Sequence, residues 1–100
     1  MTDKNLNSNV PAPLRVRLNP DVLAQRVEDE LVIVQLDTNQ IYNLNDSAAR
    51  LWELLEAGFN LDEVRQKLTR EFEVSEERLD RDISTTLASL VEHQLATLEK

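Results

Sequence analysis

The groups able to do covalent or acid–base chemistry are few in this 100-residue chain. There is one histidine, His93, and no cysteine. No serine–histidine–acid or cysteine–histidine arrangement can be assembled around His93. It sits near the end of a helical stretch, where a histidine serves as a solvated or capping residue. Without thiolates, and with one imidazole, the chain lacks the ligands of a typical zinc site. Carboxylates are plentiful, but Glu76, Glu77, Asp80 and Asp82 follow one another as a solvated helix face does. An acid/base pair needs burial or a close partner to separate its two pKa values. Gly58 is the only glycine, too few for a phosphate-cradling loop. Nothing in the sequence therefore specifies catalysis, a metal or a cofactor.

The elements that position these residues are read from hydropathy period. The first residues are polar and Asn-rich and end in Pro11 and Pro13. We assign residues 1–19 to a flexible N-terminal tail and residues 20–100 to one domain. Within that tail, Leu14 to Leu18 alternates apolar and basic residues, so it is either a strand or an extended lead-in. Asn19-Pro20-Asp21 marks a turn. Val22–Val27, Leu31–Leu36 and Gln40–Leu44 then read as three strands joined by polar connections at Glu28–Glu30 and Asp37–Asn39. The second has a continuous apolar run, so it is either central or covered on both faces. In the third, Tyr42 and Leu44 share one face while Ile41 and Asn43 share the other.

Beyond Leu44 the period changes from two to about 3.6. Ala48, Leu51, Trp52 and Leu55 form the stripe of a first helix, capped by Asn45 or Asp46 and closed by Gly58. Asn60 with Glu63 forms a capping box for a second helix, whose stripe is Leu61, Val64, Leu68 and Phe72. Ser75 caps a third, with a stripe of Leu79, Ile83, Leu87, Leu90 and Val91 that Gln94 ends. Leu95–Leu98 is a short extended segment packing back. The fold class is thus α+β: a three-stranded antiparallel sheet followed by three helices, winged helix-turn-helix-like.

That helix order also suits a DNA-binding regulator, but the charge opposes it. The net charge is −8. The third helix carries Glu76, Glu77, Asp80, Asp82 and Glu92 against Arg78 and Arg81, whereas a recognition helix lies among phosphates. The same acidity disfavours anionic membrane surfaces, and no apolar run reaches the length of a membrane span. No signal-like start is present, so a cytoplasmic location is expected.

The run from Val32 to Gly58 resembles the PqqD-like family, recognition elements for ribosomally made, post-translationally modified peptides. The shared pattern is a hydrophobic strand, a short turn, a strand ending in Tyr-x-Leu-Asn, a small-residue helix start, then Glu-Leu-Leu and glycine. Tyr42, Leu44, Asn45, Ala48, Trp52, Leu55 and Gly58 carry it, and Phe72, Val74, Asp82-Ile83 and Leu90 extend it, so the likeness covers roughly residues 20–98. It implies a non-catalytic protein that binds a precursor leader peptide and presents it to a modifying enzyme or leader peptidase. By position, it implies that the leader adds a strand along Gln40, Ile41, Tyr42, Asn43 and Leu44. It further implies groove contacts with the third helix at Arg78, Asp82 and Thr86. Lasso-peptide, radical-enzyme and quinone-cofactor pathways all fit. An open sheet edge could equally pair two copies.

Overall fold

The computed structural model describes residues 15–99. The element order is β1 (Arg15–Leu18), β2 (Val22–Val27), β3 (Glu30–Gln35), β4 (Gln40–Leu44), α1 (Asp46–Glu56), α2 (Leu61–Glu71), α3 (Glu76–Glu92) and β5 (Ala96–Glu99). The antiparallel sheet has the order β2-β3-β4, so the strand with the continuous apolar run is the central one. Its inner face, Leu31, Ile33 and Gln35, is buried, while Val32 and Val34 on the outer face are only half-buried. The outer face is thus not fully covered by the chain's own described elements.

A second, two-stranded sheet pairs β1 with β5, placing Arg15 opposite Glu99 and Leu18 opposite Ala96. This changes the expected division at residue 19. Arg15–Leu18 belong to the folded body, because the segment after α3 returns to pair with them. Residues 1–14, the rest of the expected tail, lie outside the described residues.

The helix ends follow the local chemistry of the sequence. The Asn45 side chain accepts from the Ala48 N–H, Asn60 and Glu63 close a full capping box, and Ser75 accepts from the Arg78 N–H. Each such cap satisfies a backbone donor that the helix cannot, worth about 1 kcal/mol. Gly58 takes φ +100° just past α1, a conformation open to glycine at no steric cost.

The core lies between the inner sheet face and the helices. Ile33, Trp52, Leu51, Val64, Leu68, Leu90 and Leu95 are its fully buried large side chains. Three arginines tie elements together at its margin. Arg26 bridges β2 to Asp46 and Glu53 of α1 (2.9 and 3.5 Å). Arg65 joins α2 to Asp80 of α3. Arg50 of α1 grips Glu71 of α2 with two parallel bonds, Nε–Oε1 at 2.8 Å and Nη2–Oε2 at 3.1 Å.

The Arg50 bonds hold the Glu71 carboxyl below its usual range, against an opposing effect of burial. A carboxylate with a depressed folded pKa adds stability that is present above its unfolded value. That stability is lost as pH falls through the folded value. Solvent screens this half-exposed pair, so Glu71→Gln should cost about 0.2–1 kcal/mol at neutral pH. In urea titrations the gap between parent and variant should close as the pH falls below the carboxylate range. A gap that stays constant with pH would show that charge is not its source.

Candidate functional site

β4 is an edge strand, paired only with β3 among the described residues. One bond fixes which of its backbone groups are free. The Leu36 N–H donates to the Asp21 carbonyl (3.1 Å), just past the β2–β3 ladder. Bonding direction alternates along an antiparallel strand. Val34, Val32 and Glu30 therefore turn their amides toward β2, and Gln35, Ile33 and Leu31 toward β4. Their partners on β4 are Gln40, Tyr42 and Leu44. Ile41 and Asn43 are left with N–H and C=O groups directed away from the sheet. An extended peptide could satisfy these, as in other cases of strand addition.

The Leu44 end of this edge runs directly into a groove of about 330 Å³. One wall is the first turn of α1, Asn45 to Ala48. The floor is Leu51, Leu68, Phe72, Val74 and Leu79, and the far wall is the α3 face carrying Arg78, Asp82, Ile83 and Thr86. Asn45 is held by accepting from the Ala48 N–H within the same wall, and Asp46 by Arg26 of β2, outside the groove. The rim is charged at Arg78 and Asp82, which face each other at 3.8 Å one helical turn apart. The interior is apolar, as clefts that accept apolar ligand groups are.

The structure therefore brings Arg78, Asp82 and Thr86 together on one wall. Gln40–Leu44 stand apart as the sheet edge that leads into it, and do not line it themselves. Within β4, Ile41 is 66% exposed on the outer face, and Tyr42 and Leu44 are half-buried on the inner face. The Asn43 side chain donates to Glu30 (3.0 Å).

Three groove residues, Ala48, Phe72 and Ile83, lie on helical stripes that the sequence assigns to the core. All three are only half-buried, because the groove between the first turn of α1 and the face of α3 opens beside them. No periodicity signal separates such a position from a core position.

Gln35 is a further residue that sequence reasoning passed over. It is the buried polar side chain of the described residues, 3% exposed. Its Oε1 accepts from Thr38 Oγ1 (3.1 Å) and lies 3.3 Å from the Tyr42 hydroxyl, whose nearer acceptor is Gln40 Oε1 (2.5 Å), and its Nε2 donates to the His93 carbonyl (3.3 Å). The Tyr42 and His93 rings lie 4.9 Å apart. Gln35 thus ties β3 and the edge strand β4 to the C-terminal end of α3. Its signal was a lone amide closing an apolar run.

No group of three or more His, Asp or Glu side chains among the described residues could hold a metal ion. No described helix is long and apolar enough to cross a membrane. The exposed face of α3 is acidic, and Arg78 is engaged by Asp82, so this helix does not present the cationic surface that a DNA groove requires.

An open-edged three-stranded sheet beside a helical groove defines a peptide-accepting architecture built on a winged-helix-like frame. The chain belongs to the PqqD family, described as coenzyme PQQ synthesis protein D, whose family model matches residues 30–96. No curated protein sequence matches it. Among solved structures it is similar to the lasso peptide synthetase B1 complexed with the leader peptide, at 30% identity and a TM-score of 0.74. That match covers 83% of this chain and 98% of the other. It is also similar to TbiB1 in complex with the TbiA(beta) leader peptide, at 26% identity and a TM-score of 0.75, covering 80% and 93%.

Proposed function

We propose that this chain binds the leader segment of a ribosomally made precursor peptide and presents it to a modifying enzyme or leader peptidase. It performs no bond-making or bond-breaking itself. The observation that carries this reading is the free β4 edge opening into an apolar groove. The backbone groups of Ile41 and Asn43 hold the leader as an added strand, with Gln40, Tyr42 and Leu44 keeping that strand in the sheet. Side chains of the leader enter the groove, where Arg78, Asp82 and Thr86 select among leaders. Both similar solved structures are leader-peptide complexes, which supports the reading and makes a lasso-peptide leader the first ligand to try.

Such a protein accelerates a reaction by raising the local concentration of substrate beside a separately bound enzyme. It needs no cofactor, no nucleic acid and no membrane, and its place of work is the cytoplasm, where precursor peptides are made.

Titration of a fluorescent lasso-peptide leader by anisotropy tests the proposal. Ala48→Trp should fill the groove without disturbing the core, because Ala48 borders open space. An excluded apolar anchor is worth about 1.5–3 kcal/mol of burial, so affinity should fall roughly 10- to 100-fold. The circular dichroism spectrum should not change. A folded Ala48→Trp protein that binds the leader as tightly as the parent would rule the groove out.

A further inference from the structure

The outer face of the sheet, on the side opposite the helices, carries an apolar patch that no described element covers. Pairing register places Leu23, Val34 and Ile41 in one apolar row across β2, β3 and β4; in the next row Val32 lies between Gln25 and Asn43, and Val27 lies beyond, toward the hairpin. Leu23 is 61% exposed, Ile41 66% and Val27 49%; Leu36, just past β3, is 50% exposed. These are four of the six large apolar side chains that are exposed among the described residues. Single exposed apolar residues are ordinary, but a contiguous set on one face marks an interaction surface.

The edge of this face is acidic. Glu28, Asp29 and Glu30 stand at the β2–β3 hairpin, and Asp21 and Asp37 at the opposite end; all five are exposed. None of them forms a salt bridge among the described residues. The nearby cation, Arg26, faces inward and is engaged by Asp46 and Glu53 of α1. The surface is therefore an apolar centre within an acidic rim. A second copy would set rim against rim, like charge to like, in a chain of net charge −8.

We propose that the outer face is the docking surface for the enzyme that acts on the bound peptide, meeting it through an apolar patch ringed by Lys and Arg. The proposal rests on the reading of β4 as the leader's edge. A peptide added there turns alternate side chains to the outer face, directly beside Ile41 and Asn43. Sheet and leader then form one continuous surface. The enzyme docked on it meets the loaded protein and the peptide together, while the groove holds the anchors on the other side.

The test uses the purified enzyme that processes the precursor whose leader this chain binds, titrated with the full chain and followed by sedimentation and calorimetry. The variants are Leu23→Glu and Leu23→Glu/Val27→Glu. Both residues are exposed and lie on β2, the strand farthest from the leader edge. Leader anisotropy and circular dichroism should match the parent, whereas affinity for the enzyme should fall at least about tenfold. Parent affinity should weaken as salt is raised, and Glu28→Gln/Asp29→Asn should flatten that dependence. Unchanged enzyme affinity in the double variant overturns the proposal, as does failure of the enzyme to associate with the parent chain with or without leader. A parent dimer that Leu23→Glu dissociates would assign the face to a second copy, and enzyme affinity that rises on removal of residues 1–14 would assign it to that segment. Failure of the leader to bind, with enzyme docking intact and sensitive to Leu23→Glu, would instead count against the function proposed above.

Discussion

Proline at Tyr42 should unfold the sheet, whereas proline at Ile41 or Asn43 should leave a folded protein that no longer holds its peptide. The difference comes from bonding parity, not from side-chain type. Tyr42 lies opposite Ile33 in the ladder and turns its N–H to the central strand. Proline removes that donor and strands a carbonyl of β3 in the interior. It also removes the ring that packs against His93 and the hydroxyl that donates to Gln40 Oε1 beside Gln35. The combined cost is about 3 kcal/mol or more, a large share of the roughly 5–15 kcal/mol that holds a domain of this size together. Ile41 and Asn43 direct their N–H groups away from the sheet, where proline is tolerated on an edge. Each substitution there deletes one bond to an added strand and leaves a peptide carbonyl unpaired, costing about 1–3 kcal/mol of binding. Ile41→Ala keeps the N–H and should bind nearly as the parent does. Circular dichroism with leader anisotropy separates the outcomes. If Ile41→Pro and Asn43→Pro both fold and bind the leader normally, strand addition at this edge is wrong.

Trp52→Ala should cost about 3–5 kcal/mol of stability, the range for deleting a large buried aromatic. Trp52 is 1% exposed and is the largest fully buried side chain of the described residues. It belongs to α1, the helix whose first turn forms a wall of the groove and which Arg50 and Arg26 join to α2 and β2. Its indole Nε1 has no hydrogen-bond partner among the described residues. Trp52→Phe should therefore lose little through the missing donor, and its cost of about 1–2 kcal/mol should come from the smaller ring alone. Urea unfolding followed by circular dichroism measures both. The leader affinity of Trp52→Phe should equal the parent's, because Trp52 does not line the groove and lies on the inner side of the sheet, away from the outward backbone groups of Ile41 and Asn43. A loss below 1 kcal/mol for Trp52→Ala would mean that the helices do not depend on this anchor.

Much of this was legible in the sequence because it is decided locally. The change of hydropathy period after Leu44, the caps at Asn45, Asn60 and Ser75, and the left-handed Gly58 each depend on residues a few positions apart. A backbone donor at a helix start finds its nearest acceptor regardless of the rest of the fold. The β3–β4 hairpin was legible too, but its turn spans Leu36–Asn39 rather than the expected Asp37–Asn39, so the register, Gln35 opposite Gln40, was set by the fold. The ordered pattern from Val32 to Gly58 likewise pointed to the family, which the family model and both solved relatives bear out.

What the tertiary structure decided depends on distances that no local pattern encodes. Pairing of Arg15–Leu18 with Ala96–Glu99 closes the chain across some eighty positions, which made the first segment read as tail. Ala48 and Ile83 carry the same helical spacing as Trp52 and Leu87, but line the groove, so one stripe yields both core and groove. The free backbone groups of Ile41 and Asn43 were undecidable until the Leu36–Asp21 bond set the parity of the whole ladder. Sequence period tells which residues prefer to leave water; only the packing of the helices against the sheet determines where too little partner surface remains to cover them, and it is there that this protein keeps its groove and its open sheet face.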